Sequence, residues 1–160
     1  MSGSVASIIG SVKKAATGPT NIFINGSATT ATPVGWLGSA YARNTTYFKT
    51  TPASWQMNDI SGDGPELTYF QATGLTIGSR YSISWWSRND PLNGSDPVTF
   101  TPLSLSGGTG TFSYTPSGTF TYYKVEGMTA TATSVYVQWY ASSYSALVDD
   151  IWLVAGNTAY

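Results

Sequence analysis

Over residues 74–88 the chain alternates in a way that only an extended strand can use. Tyr81, Ile83 and Trp85 fall on one side at period two, and Arg80, Ser82, Ser84, Trp86 and Arg88 fall on the other. Gly74 and Gly78 punctuate the entry to this strand. One face is built to be buried. The other is polar yet carries Trp86, which a solvent-facing strand has little reason to hold. What that second face meets is therefore the functional question.

The same reading extends along the chain. Strands are expected at residues 21–24, 41–43, 46–50, 54–57, 67–72, 98–103, 110–115, 119–125, 134–141 and 146–154, with turn chemistry between them, such as the pair Asn25-Gly26, and a Thr/Ala-rich loop leading to Gly35-Trp36-Leu37. Short strands at this spacing predict an all-β fold, an antiparallel β-sandwich of jelly-roll type. No internal repeat stands out. Residues 1–20 read differently. Val5, Ile8, Ile9 and Val12 recur at helical spacing behind Ser4, and Gly18-Pro19 ends the pattern. So short a helix is marginal in isolation. The expectation is an N-terminal arm or short helix over 1–20 that orders on a neighbouring chain, followed by a sandwich domain over 21–157.

Composition narrows the function classes. Charged residues make up 9% of the 160, where a soluble domain typically has roughly 25%. A surface so poor in charge has little electrostatic protection against association. The seven basic residues are scattered, and only Lys13 and Lys14 are adjacent. That argues against nucleic acid as a partner. Without Cys there is no disulfide frame or thiolate metal site, and without His the usual general base is missing. No run approaches the roughly 20 apolar residues of a membrane span. The N-terminus is a poor signal peptide, because its charges follow the apolar residues.

Four pieces carry a resemblance. They are Asn21–Gly26 with Gly35-Trp36; Gln71, Gly74-Leu75, Gly78, Tyr81–Trp85 and Arg88; Tyr122–Gly127 with Ser134–Val137; and Val148–Leu153. In this order the chain, from about residue 21 to 154, resembles the jelly-roll carbohydrate-binding modules found beside xylanases and cellulases. The resemblance implies a sugar-binding face, usually the concave sheet, where rings stack on pyranoses and amides or Arg bond hydroxyls. The matching positions are Trp86 and Arg88 on one strand, Tyr69 and Gln71 on another, and Tyr136, Gln138 and Tyr140 on a third. Aromatics and amides at period two make an amphipathic platform. The same pattern would also serve against a second sheet or a partner subunit.

The resemblance further implies a structural calcium bound by a final-strand aspartate, Asp149 or Asp150. Ser27 stands where the family's acidic residue would be, which leaves six to eight oxygen ligands hard to find. The competing role for these aspartates is to accept backbone or hydroxyl hydrogen bonds. Asp59, Asp63 and Glu66 lack EF-hand spacing and read as a solvated loop, and Asp90 and Asp96 read as turn formers. No carboxylate pair suits a glycosidase, so no catalysis and no required cofactor are expected.

Two functions follow. A signal-free chain with an arm, low charge and surface aromatics is expected to be a bacteriophage virion protein. It would be a capsid decoration or cement protein on the particle surface, a dimer or trimer contacting other virion proteins and host glycans. The alternative is a carbohydrate-binding module acting outside the cell. Neither membrane nor nucleic acid is expected as a partner.

Overall fold

The computed structural model describes residues 19–23, 28, 36–37, 41–50, 52–57, 68–91, 96–141 and 146–160. The four residues of the expected arm, Val5, Ile8, Ile9 and Val12, lie outside them, as do Ser27, Asp59, Asp63 and Glu66. Among the described residues there is no helix. The strands are β1 (Trp36–Leu37), β2 (Tyr41–Asn44), β3 (Ser54–Met57), β4 (Thr68–Thr73), β5 (Arg80–Asn89), β6 (Val98–Leu103), β7 (Leu105–Ser106), β8 (Thr109–Gly110), β9 (Ser113–Tyr114), β10 (Thr121–Ala130), β11 (Ser134–Ala141) and β12 (Ala146–Ala155).

They form two antiparallel sheets. One runs β1-β4-β11-β6-β9; the other runs β2-β3-β12-β5-β10-β7, with β8 also paired to β10. The chain is an all-β sandwich of the jelly-roll kind seen in carbohydrate-binding modules. Its core lies between the sheets. Trp85 from β5 stacks on Phe100 from β6 at 4.5 Å between ring centroids and meets Trp139 from β11 edge-on at 5.8 Å. Ile83, Val125, Val135, Val137, Ile151 and Leu153 are fully buried around them. Each such side chain contributes roughly 1.5–3 kcal/mol by leaving water, and this is why period two in the sequence becomes two layers in space.

Three expectations need correction. Residues 46–50 are not a strand. Asn44 Oδ1 accepts the amides of Thr46 and Tyr47 at 2.9 and 2.8 Å, and Asp149 Oδ2 accepts those of Lys49 and Thr50 at 2.8 and 2.9 Å. Side-chain acceptors have replaced a ladder there. Residues 21–23 are not a strand either. β3 pairs with only residues 146–148 of β12, and further along that strand Asn21 takes the Ile151 carbonyl and the Leu153 amide with its side chain while Ile22 N–H reaches Leu153 O at 2.8 Å. Finally, the expected strand over 110–115 is broken between β8 and β9. Gly110 lies so close to β10 that an added Cβ would sit 2.1 Å from Lys124 O.

Register shifts interrupt both neighbours of β5, between Val125 and Met128 in β10 and between Asp149 and Trp152 in β12. At the second, Asp150 adopts φ 47°, a conformation that a short polar side chain tolerates better than most.

Candidate functional site

On β11, Val135, Val137 and Trp139 are buried in the core, so Tyr136, Gln138 and Tyr140 occupy the outer face, where each is half-buried. The register assembles a surface around them. Tyr136 stands between Gln71 and Leu103, Gln138 between Tyr69 and Thr101, and Tyr140 beside Thr99. Gln71 Nε2 donates to Tyr136 Oη at 2.9 Å. That bond fixes the phenol's position and leaves its O–H free to donate outward. Tyr136 and Tyr140 are four residues apart, about 13 Å along the strand, with an amide midway. The described residues of this face are all uncharged. Such a surface can stack rings against C–H groups and exchange hydrogen bonds with hydroxyls.

Trp86 and Arg88 lie elsewhere. Trp85 points into the core, so its neighbour points away, onto the outer face of the other sheet. The seven candidate positions therefore do not form one platform. Tyr69, Gln71, Tyr136, Gln138 and Tyr140 share adjacent strands of one sheet, and Trp86 and Arg88 sit across the sandwich. Period two assigns residues to a face of their own strand, not to a common sheet.

The face around Trp86 is largely occupied by the chain itself. Lys49 Nζ lies 4.3 Å from the centroid of the Trp86 ring, and the Tyr122 ring meets Trp86 in a T-shaped contact at 5.5 Å between centroids. Arg88 Cζ lies 4.5 Å from the Tyr47 centroid and 5.8 Å from that of Phe120. Residues 156–160 fold back over the polar side of β5. Ser82 Oγ donates to Gly156 O at 3.0 Å and Ser84 Oγ to Tyr160 O at 2.6 Å, while Tyr160 packs on Trp152 at 5.2 Å. Hence Ser82 and Ser84, on the polar face of this strand, are buried. Tyr47, Lys49 and Tyr122 were missed as functional candidates; Tyr122 stands opposite Trp86 in register.

Asp149 is buried, and its carboxylate is taken by backbone. Oδ2 accepts Lys49 N–H and Thr50 N–H, and Oδ1 accepts Asp150 N–H at 2.8 Å. Burial outweighs these donors and raises its pKa from the ordinary aspartate range to about 6. Asp150 accepts the Thr50 hydroxyl. Three N–H donors occupy three of the roughly four acceptor positions of the Asp149 carboxylate, so the described residues offer the expected calcium a poor ligand there. Among them no group of three or more His, Cys, Asp or Glu comes together.

No protein-family model and no curated protein sequence matches the chain. Solved structures do match its fold. The module TmCBM61, solved with β-1,4-galactotriose, superposes at TM-score 0.66 with 10% identity over 86% of this chain and 99% of that one. The CBM22-1 xylan-binding domain of Paenibacillus barcinonensis Xyn10C gives TM-score 0.63 and 12% identity over 83% and 93%. The enzymatically active domain of bacteriophage CBA120 tailspike protein 4 gives TM-score 0.63 and 13% identity over 85% of this chain and 21% of that one.

Proposed function

We propose that the chain is a carbohydrate-binding module. It would hold a neutral polysaccharide on the outer face of the five-stranded sheet through Tyr136 and Tyr140, with Gln138 and Gln71 bonding hydroxyls. The observation that carries this is the uncharged Tyr–Gln–Tyr row of β11, half-exposed and held by the Gln71–Tyr136 bond. Similarity of fold to modules described as sugar-binding supports the reading. The face around Trp86 is a poorer candidate for stacking, since its ring already carries Lys49 and Tyr122.

The role is binding without catalysis. Several described acids are already engaged: Asp149 by amides, Asp90 by Gln56 Nε2 at 2.6 Å, and Glu126 by Lys124 at 2.8 Å. A titration with neutral β-1,4-linked oligosaccharides tests the proposal. Saturable binding that Tyr136→Ala and Tyr140→Ala weaken is expected.

The virion reading finds one supporting observation, the likeness to a portion of a phage tailspike domain. That likeness concerns the fold, which the sugar-binding modules share, and the carbohydrate reading is better supported. If the chain does belong to a particle, the β11 face would be its glycan-contacting surface. Co-purification with phage particles tests that version.

A further inference from the structure

We infer that Lys49 and Arg88, on the sheet opposite the β11 face, form a second and separate site, one that takes the carboxylate of an acidic sugar.

The two cations are unusual in this chain. Only seven of its residues are basic, and among the described residues the ion pair is Lys124 with Glu126, at 2.8 Å. Among those residues neither Lys49 nor Arg88 makes one. Both are instead held over rings, Lys49 Nζ at 4.3 Å from the Trp86 centroid and Arg88 Cζ at 4.5 Å from the Tyr47 centroid. Trp86 and Arg88 point the same way from β5, about 7 Å apart. A ring holds a cation in place without neutralising it. The charges are thus positioned, and among the described residues neither has a carboxylate counter-ion.

Arg88 donates its Nε–H to Asn89 O at 3.2 Å. Among the described residues its two Nη groups have no acceptor. They form a planar fork that matches a carboxylate, and Lys49 adds a point charge beside it. Tyr122, 37% exposed, and the half-buried Phe120 give apolar walls that suit the C–H faces of a sugar ring.

Four described acids make hydrogen bonds or an ion pair elsewhere and not with these two cations. Asp149, opposite Trp86 in register, is held by the amides of Lys49, Thr50 and Asp150. Asp150 takes the Thr50 hydroxyl, and Asp90 takes the Gln56 amide. Glu126 pairs with Lys124. Among the described residues no carboxylate lies within ion-pair distance of either cation.

The test is a titration of the full chain with a uronic-acid oligosaccharide, its neutral counterpart, and inorganic phosphate. The acidic sugar is expected to bind, and to weaken several-fold between about 20 and 300 mM salt. Lys49→Met and Arg88→Gln should each lower its affinity about tenfold. Arg88→Lys, which keeps the charge and loses the fork, should also weaken it. Tyr136→Ala and Tyr140→Ala should leave acidic-sugar binding unchanged, which separates this site from the neutral one. Melting curves identify any variant that unfolds, and the Lys49→Met result then decides. Equal affinity for the acidic and neutral sugars would overturn the inference. So would phosphate binding as tight as the acidic sugar, or loss of acidic-sugar binding in Tyr136→Ala.

Discussion

Trp85 and Trp86 are consecutive residues whose rings lie on opposite sides of one sheet. Trp85 is fully buried, stacked on Phe100 at 4.5 Å, and its Nε1–H donates to Tyr114 Oη at 3.1 Å. Trp86 is half-buried on the outside, beneath Lys49 and against Tyr122. The first joins the two layers; the second belongs to a surface that the chain partly covers itself.

The two tryptophans should respond differently to truncation. Trp85→Ala removes a ring from the middle of the core and should cost about 3–5 kcal/mol. Trp86→Ala loses one ring contact and one cation–π contact, about 1–2 kcal/mol together. Urea unfolding of both variants measures the difference.

Asn21 acts as a clamp on β12. Its side chain donates to Ile151 O at 2.8 Å and accepts from Leu153 N at 2.9 Å and Phe23 N at 3.1 Å. Asn21→Ala leaves those groups unpaired and should cost about 1–3 kcal/mol. Hydrogen exchange should show the Leu153 amide losing protection, with the β11 amides changing less.

Asp149 predicts a pH dependence of stability. Burial raises its pKa to about 6 in the folded chain, above an unfolded value of about 3.9. The folded state then holds the proton more tightly. Its stabilising contribution is complete below about pH 4 and is lost as pH rises through about 6. Glu126, lowered by its bond to Lys124, works in the opposite direction at lower pH. The comparison must therefore be made against Asp149→Asn. Wild type should lose urea resistance relative to that variant between pH 4.5 and 7.5, although the variant is less stable overall because an amide nitrogen faces backbone N–H donors.

The Gln71–Tyr136 bond joins β4 to β11 within the proposed sugar face. A double-mutant cycle with Gln71→Ala and Tyr136→Phe should give a coupling of about 0.5–1.5 kcal/mol in stability. Additive effects would mean that the bond does not hold the face.

How far the sequence could be read follows from what each feature depends on. β11 is observed at the residues expected, because apolar Val135, Val137 and Trp139 alternate with Tyr136, Gln138 and Tyr140. β5 was equally clear in its core side, Tyr81, Ile83 and Trp85. What its polar side meets was left open, and the cover there comes from residues 156–160, far along the chain. Residues 46–50 have a strand's composition, Thr, Tyr and Phe, yet their amides go to Asn44 and to Asp149, the latter about a hundred residues away. No local pattern encodes such a partner. Sheet order is also long-range, and so Trp86 and Arg88 were grouped with residues that lie across the sandwich.

The proposed function places neutral polysaccharide on the outer face of β4 and β11. Calorimetric titration with neutral β-1,4-linked oligosaccharides, for wild type, Tyr136→Ala and Tyr140→Ala, tests it most directly. Saturable binding by wild type is expected, little changed by salt, and at least about tenfold weaker in each variant, with melting curves showing that each variant is still folded at the titration temperature. Wild-type binding that survives loss of both tyrosines, or no binding across a broad panel of neutral polysaccharides, would contradict it.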